Sequence, residues 1–459
     1  MKRITCLPIL GLLALSAFIA PVPVTAATLT VTTESDLDLL DGLCSLREAL
    51  VAANSDSPYQ DCPEGNGADE ILLEVAGTYL LLLPLPVIED DLKVTGLGAD
   101  LSILDGGDTV QILNFSPPGP GNGEVLRLEG LQLTGGRAAE GGAIRVARNR
   151  GLEIDQCVLV GNVATLQGGA IAADRPSSVL ITESHFLDNV SNSIGGAMAV
   201  EGGTTFIEDS TFERNLAETS TGGAIYALVV TDLSLSRVTL SGNRAAGDGG
   251  ALVSVASQVT LESCTVTENQ TDFDGDDDGD GGGLSIAGQV SLTLSNTILA
   301  GNLDTSPAAE DCRDGHRKLG ASIVTSSANA IGTNDCFDTN FPAGLPNVNG
   351  DWVGTVASPF EPLLHPLAFN GGPTPTHLPF AASPVVDQGS CTLATHDQRG
   401  FGNGVTGLRI IDDPDVPDLI DGCDIGAVEV HSISLEGLVF VDGFETGDTS
   451  RWSLTVQQL

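Results

Sequence analysis

One short pattern recurs six times in the middle of the chain: two glycines, a small residue and an aliphatic one. It reads Gly141-Gly142-Ala143-Ile144, Gly168-Gly169-Ala170-Ile171, Gly195-Gly196-Ala197-Met198, Gly222-Gly223-Ala224-Ile225, Gly249-Gly250-Ala251-Leu252 and Gly281-Gly282-Gly283-Leu284. The first glycines lie 27, 27, 27, 27 and 32 residues apart. A fixed period of this length means a solenoid, in which each repeat is one structural lap, and it takes precedence over local propensity.

A second series keeps step with the glycines. Asn162, Asn189, Asn215, Asn243, Asn269 and Asn302 each close a short strand-like run, and Cys157, Ser184, Ser210, Val238 and Cys264 lie five residues before the first five. Ile154, Ile181, Ile207, Leu235 and Leu261 form one apolar column, and Leu159, Phe186, Phe212, Leu240 and Val266 another. Apolar and polar positions alternate, which is strand periodicity. A single repeat cannot cover its own apolar face, whereas stacked repeats cover one another, each lap adding strands to parallel sheets. The glycines suit tight corners and the asparagines an internal amide ladder. The expectation is an all-β fold, a right-handed parallel β-helix of about 27 residues per coil. The β-branched content and the absence of helical periodicity set aside a leucine-rich or helical solenoid.

Composition narrows the partners. The formal charge is −42, from 61 acidic and 19 basic residues, and only Lys93 and Lys318 are lysines beyond Lys2. Such a surface repels nucleic acid and anionic membranes and attracts divalent cations. Residues 1–26 read as a secretory signal: Lys2 and Arg3, an apolar run, then Val24-Thr25-Ala26 as a small-residue cleavage site. No later stretch is long and apolar enough to span a bilayer, so no transmembrane span is expected in the mature chain.

Secretion implies an oxidising compartment and eight cysteines after removal of Cys6. Cys157 and Cys264 share a column four coils apart, roughly 19 Å at about 4.8 Å per coil, too far for a bond, and are expected as buried thiols. Connectivity is not deducible from sequence, but proximity along the chain pairs Cys44 with Cys62, Cys312 with Cys336 and Cys391 with Cys423.

Near the N-terminus Ser45, followed three residues later by Glu48, is a capping box, and Leu46, Ala49, Leu50 and Ala53 give one apolar face. This helix is expected to lie over the open end of the first coil, an end that would otherwise template aggregation. The string Cys44-Ser45-Leu46-Arg47-Glu48-Ala49 resembles the CSLREA domain of bacterial secreted β-helix proteins, named after those six letters. Asn370-Gly371-Gly372-Pro373-Thr374-Pro375-Thr376-His377, Ser383-Pro384-Val385-Val386-Asp387, Asp397-Gln398-Arg399-Gly400 and Cys423-Asp424-Ile425-Gly426-Ala427 resemble the module called choice-of-anchor Q. Gly-Gly-Ala-Ile with Phe186-x-x-Asn189 and Phe212-x-x-Asn215 is similar to the repeats of polymorphic outer-membrane proteins. The expected layout is a signal peptide at 1–26, an N-terminal cap at 27–66, the β-helix at 67–360, a loop-rich module closing the other end at 361–430, and a tail at 431–459.

The sharpest chemical feature is the acidic run Asp272, Asp274, Asp276, Asp277, Asp278 and Asp280, which fills the one longer period. Asp274, Asp276, Asp278 and Gly279 match the first half of a calcium loop, but the twelfth position is Ser285 rather than glutamate, which rules out an EF-hand. The expectation is an extracellular Ca2+ site drawing on Asp272, Asp274, Asp276, Asp278 and Asp280, set against a solvated acidic loop. Stacking also places Glu183, Asp209 and Arg237 in one column, a candidate for carbohydrate chemistry because retaining glycosidases need carboxyl groups about 5 Å apart. Arg145, Arg148 and Arg150 form a basic spot. Asp387, Asp397, Arg399, Asp424 and Glu429 read as a structural network in the module. No Gly-x-Ser-x-Gly, P-loop or zinc spacing occurs. The resemblances imply a non-catalytic, adhesin-like protein, secreted or on the outer cell surface; they supply no ligand, and an extracellular glycan or surface protein is the partner expected. The competing reading is a polysaccharide lyase or glycoside hydrolase acting in a groove of the β-helix.

Overall fold

The computed structural model describes residues 26–117, 119–276, 278–306, 312–318, 320–325, 328–337, 339–390, 395–401 and 422–430. The signal peptide apart from Ala26, Cys391 and the tail therefore lie outside the described residues.

The repeat is a four-sided coil. One lap runs through the strands Gly151–Asp155, Val158–Val160, Val163–Gln167 and Ile171–Asp174 before Ser178–Thr182 begins the next. These four sides stack into four parallel sheets, here numbered one to four in that order, of 11, 11, 7 and 8 described strands. The register is the one the columns require. Ile154 pairs with Ile181, Ile181 with Ile207, Ile207 with Leu235 and Leu235 with Leu261. In sheet two Leu159, Phe186, Phe212, Leu240 and Val266 pair in turn. All of these side chains are buried, and the rings of Phe186 and Phe212 stack face to face with centroids 4.4 Å apart.

Each corner is turned by one residue in the left-handed region. Gln156, Glu183, Asp209, Arg237, Ser263 and Asn296 turn the corner from sheet one to sheet two with φ of 46–55°. At the corner between sheets three and four the first glycine of each doublet does so, with φ of 60–78°. There a side chain is excluded twice over. A Cβ on Gly195 would meet the Met198 carbonyl oxygen at 2.2 Å, and one on Gly196 would meet the Gly223 oxygen of the next coil at 2.0 Å. The second glycine is thus required by stacking, not by its torsions.

The asparagines form the expected ladder. Asn162, Asn189, Asn215, Asn243 and Asn269 each donate their backbone N–H and side-chain Nδ2 to the Oδ1 of the next asparagine, at 2.9–3.1 Å, ending on Asn302. Asn302 donates in the same way to Asp314 Oδ1, and Asp314 Oδ2 accepts from the Thr333 backbone and hydroxyl. A carboxylate suits this terminus because it only accepts. Burial nevertheless pushes the Asp314 carboxyl up to about 6. A parallel set of bonds runs Cys264 to Thr297, Asn329 and then Asp351, again stopping on an aspartate.

The first laps contribute only to sheets one and two, since sheet four starts at Leu113–Phe115 and sheet three at Arg137–Glu140. The gap is filled by the helix Leu46–Ser55, which packs on Thr28–Val31 and Asp69–Leu73. Its capping box is formed, with Ser45 Oγ accepting from Glu48 N and Glu48 Oε2 from Ser45 N. The Cys44–Cys62 disulfide pins this cap, and Cys312–Cys336 pins the far end. Cys157 and Cys264 are free and buried, and burial pushes both thiols up to about 12.

One expectation is corrected. The described part of the module at 361–430 does not sit over the far end of the solenoid. It lies along the outer face of sheet two as a strap. Thr211 Oγ1 donates to Pro375 O, Thr239 Oγ1 to Gln398 Oε1, and Ala427 N to Thr265 Oγ1, at 2.6–3.1 Å. Ser241 Oγ meets His377 Nε2 at 2.9 Å. Closure of the end falls to the segment after the last full coil. Phe337 and Phe341 are buried in the main core, and the Phe337 ring sits against Gly315 of the last strand of sheet four.

Candidate functional site

Stacking brings Glu183, Asp209 and Arg237 into one column as expected, where Asp209 and Arg237 form an ion pair. Asp209 is 9 % exposed and held by Arg237 through Nε and Nη2 at 2.6 and 3.0 Å. Its second oxygen also meets His396 Nε2 at 3.2 Å, and its carbonyl accepts from Thr374. Glu183 accepts from Gln156 Nε2 at 3.0 Å. The strap reaches this corner at Asp209, while Glu183 stays half-buried. These positions carry polar residues because an outward-facing left-handed corner tolerates polar side chains that pair with the neighbouring lap.

The module's polar residues form the structural network their types imply. Asp397, Asp424 and Glu429 are fully buried, and Asp387 nearly so. Arg399 reaches Asp397 Oδ2 through Nε and Nη2 at 2.9 and 2.6 Å, and its Nη2 also donates to the Glu429 carbonyl. Asp424 Oδ1 accepts from Asp387 N, and Asp424 N donates to Glu429 Oε2. These bonds join the segments around 387, 397 and 424–429.

The acidic run is an insertion at the glycine corner, between Gln270–Thr271 and Leu284–Ala287. It divides in two. Carboxylate oxygens of Asp272, Asp274 and Asp276 lie within 4.8 Å of one another, with Asp272 buried and the other two exposed. Oxygens bound at 2.3–2.6 Å to one Ca2+ can lie that far apart, so the three side chains fit a calcium ion. Asp278 is exposed and donates its backbone N–H to Asp276 Oδ1. Asp280 turns away to His316 Nδ1 at 3.1 Å, a hydrogen bond that holds its carboxyl below the usual range. The ring of Phe273 lies 4.5 Å from the Arg244 guanidinium and anchors the loop to the preceding lap. Asp280 and His316 also approach Cys312, a grouping of metal-binding types that sequence spacing did not reveal, but the disulfide removes Cys312 as a thiolate ligand.

The basic spot is divided as well. Arg150 is buried near Phe115, with its guanidinium carbon 5.8 Å from the ring centroid, whereas Arg145 and Arg148 line a groove on sheet four. Arg145, Ala172, Ala199 and Tyr226 occupy one outward column on four successive strands. A slot of about 230 Å³ opens along this column between the arginine and the tyrosine, with Ala199 in its lining. Glu140 pairs with Arg145 and Asp174 with Arg148, both at 3.1 Å, and Gln167 and Glu201 complete the polar walls. Sequence reasoning named two of its arginines but not the slot. The signal was the pair of alanines in a column otherwise carrying larger side chains.

Among the described residues no helix is long and apolar enough to cross a membrane. No curated protein and no solved structure matches the chain. The model of one family, described as right handed beta helix region, matches residues 137–352, the part in which all four sheets are built, and the chain is a right-handed parallel β-helix.

Proposed function

We propose that this chain is a secreted or surface-displayed β-helix that binds rather than catalyses, adhesin-like in role, with an extracellular glycan or surface protein as partner. The observation that carries this reading is the state of the stacked carboxylates. Asp209 is committed to Arg237 and lies beneath the strap, and the buried carboxylates of the module are tied into its own backbone. The N-terminal signal, the CSLREA-like cap and the likeness to choice-of-anchor Q and polymorphic outer-membrane repeats support export and display. Incubation of the folded chain with a polysaccharide panel, read for reducing ends and unsaturated products, is expected to give no turnover. Turnover abolished in Glu183→Gln or Asp209→Asn would overturn this reading in favour of a lyase or hydrolase.

Calcium belongs to the same proposal, as a stabiliser of the inserted loop held by Asp272, Asp274 and Asp276. Bound cation would relieve the mutual repulsion of these carboxylates and add its binding free energy to folding. Thermal melting should shift down by a few degrees on adding chelator and return with excess Ca2+, and the shift should be absent in Asp274→Asn/Asp276→Asn. A melting curve indifferent to chelator would leave the run as a solvated acidic loop.

A further inference from the structure

We infer that the slot on sheet four is a subsite for a neutral, hydroxyl-rich saccharide, an assignment that rests on the binding role proposed above. Its geometry comes from the stacking. Arg145 and Tyr226 stand three strand spacings apart in one column, about 14 Å at roughly 4.8 Å per step. Ala172 and Ala199 lie between them in the column, and Ala199 lines the slot together with Ala173. Ala172 and Ala199 are nearly buried, at 3 and 5 %, so this part of the column is shielded by its neighbours rather than lying open on a flat sheet.

The lining selects the ligand class. Glu140 is paired with Arg145, Asp174 with Arg148 and Glu201 with Arg175, and Gln167 adds an amide, so the acceptor and donor positions these pairs leave over stand side by side around one opening. A ligand facing such alternation gains most if each of its groups both donates and accepts, which is the chemistry of a hydroxyl. Carboxylates outnumber guanidiniums in the lining, and the chain is strongly acidic, so a polyanion is disfavoured. Tyr226 supplies the apolar contact. It closes one end of the slot and is half-buried, and burial raises its hydroxyl above the usual range. A partly shielded aromatic ring beside hydrogen-bonding groups suits a sugar, whose ring has apolar C–H faces and polar edges. On the other side of the coil the strap lies along the outer face of sheet two.

The test is binding of the full chain to immobilised neutral, uronate-containing and sulfated oligosaccharides. Tyr226→Ala and Ala199→Trp are compared with the parent, and each is checked by circular dichroism and melting. Ala199 faces outward, so the bulky residue fills the slot without entering the core; Gln167→Ala is a third variant should Ala199→Trp fail to fold. The expected result is preference for neutral oligosaccharides and at least a tenfold loss of affinity in the folded variants. Binding to neutral sugars that none of the variants changes would overturn the site. Preference for uronate or sulfated ligands would overturn the ligand class. Binding to a surface protein with no oligosaccharide bound would overturn this inference while leaving the binding role intact, and turnover would overturn the role itself.

Discussion

Two corners of the same coil obey different rules. Between sheets three and four every lap carries a glycine doublet, whereas between sheets one and two the turning residue is Gln156, Glu183, Asp209, Arg237, Ser263 or Asn296. Both corners need one left-handed residue. They differ in what lies beside it. At the glycine corner the chain is pressed against its neighbours, and a Cβ would strike backbone atoms of its own and the next lap. At the other corner the side chain points outward and only the torsional cost of about 1 kcal/mol or somewhat more remains. Invariance therefore reports contact with backbone, and variety reports contact with solvent, strap or a paired side chain.

The harshest way to break this contrast is Gly196→Val. Its Cβ would sit 2.0 Å from Gly223 O and 2.5 Å from Leu216 N, contacts that no rotamer relieves. The variant should show no cooperative unfolding transition by circular dichroism. Asn215→Ala comes next. It follows the corner residue Arg214 but points inward, and it strands the donors of Asn189 and the Phe186 carbonyl. A loss of about 3–5 kcal/mol is expected in denaturant melts. If it costs under about 1 kcal/mol, the ladder is incidental to stability.

The third prediction concerns the ladder's end. The Asp314 carboxyl titrates at about 6 in the folded chain against an ordinary value of 3.8. A raised carboxyl favours the folded state below the unfolded value and loses that contribution as pH rises through the folded one. Stability should thus fall between about pH 4 and pH 6, by on the order of 3 kcal/mol from this group. In Asp314→Asn that slope should vanish, so the variant gains relative to the parent as pH rises to 7. Parallel pH profiles would refute it. The smallest effect is at the tolerant corner. Glu183→Gly relieves a φ of 46° and gives up one hydrogen bond from Gln156, and should raise stability by about 0.5–1 kcal/mol. Destabilisation there would mean that the corner side chains hold the laps together.

The contrast also explains what could be read from the chain. The solenoid, the inward columns, the ladder, the cap helix and two disulfides were legible because each repeats at a fixed interval or sits in a local motif. The outward corners were not, since Gln156, Glu183, Asp209 and Arg237 share torsions but no chemistry. The aspartates ending the internal hydrogen-bond runs were hidden by spacing, as Asp314 follows Asn302 by only 12 residues. The strap was misplaced because its contacts join turn residues such as Gln398 and His377 to hydroxyls on sheet two, with no period to announce them. The slot was half visible, through Arg145 and Arg148, but it opens along a column with two alanines that sequence alone gives no reason to weigh.

The strap has a further consequence for how such a molecule can change size. It is anchored at Asp209 and Thr211 on one side and at Thr265 and Asn296 on the other. Inserting or deleting a lap between those anchors would carry Gln398 and Ala427 out of step with Thr239 and Thr265. Among the described residues no such brace spans the laps upstream of His185, and the barrel of sheets can lengthen or shorten there by about 4.8 Å at a time. The protein is a rod with an adjustable end and a fixed one, and the slot lies where the adjustable part begins.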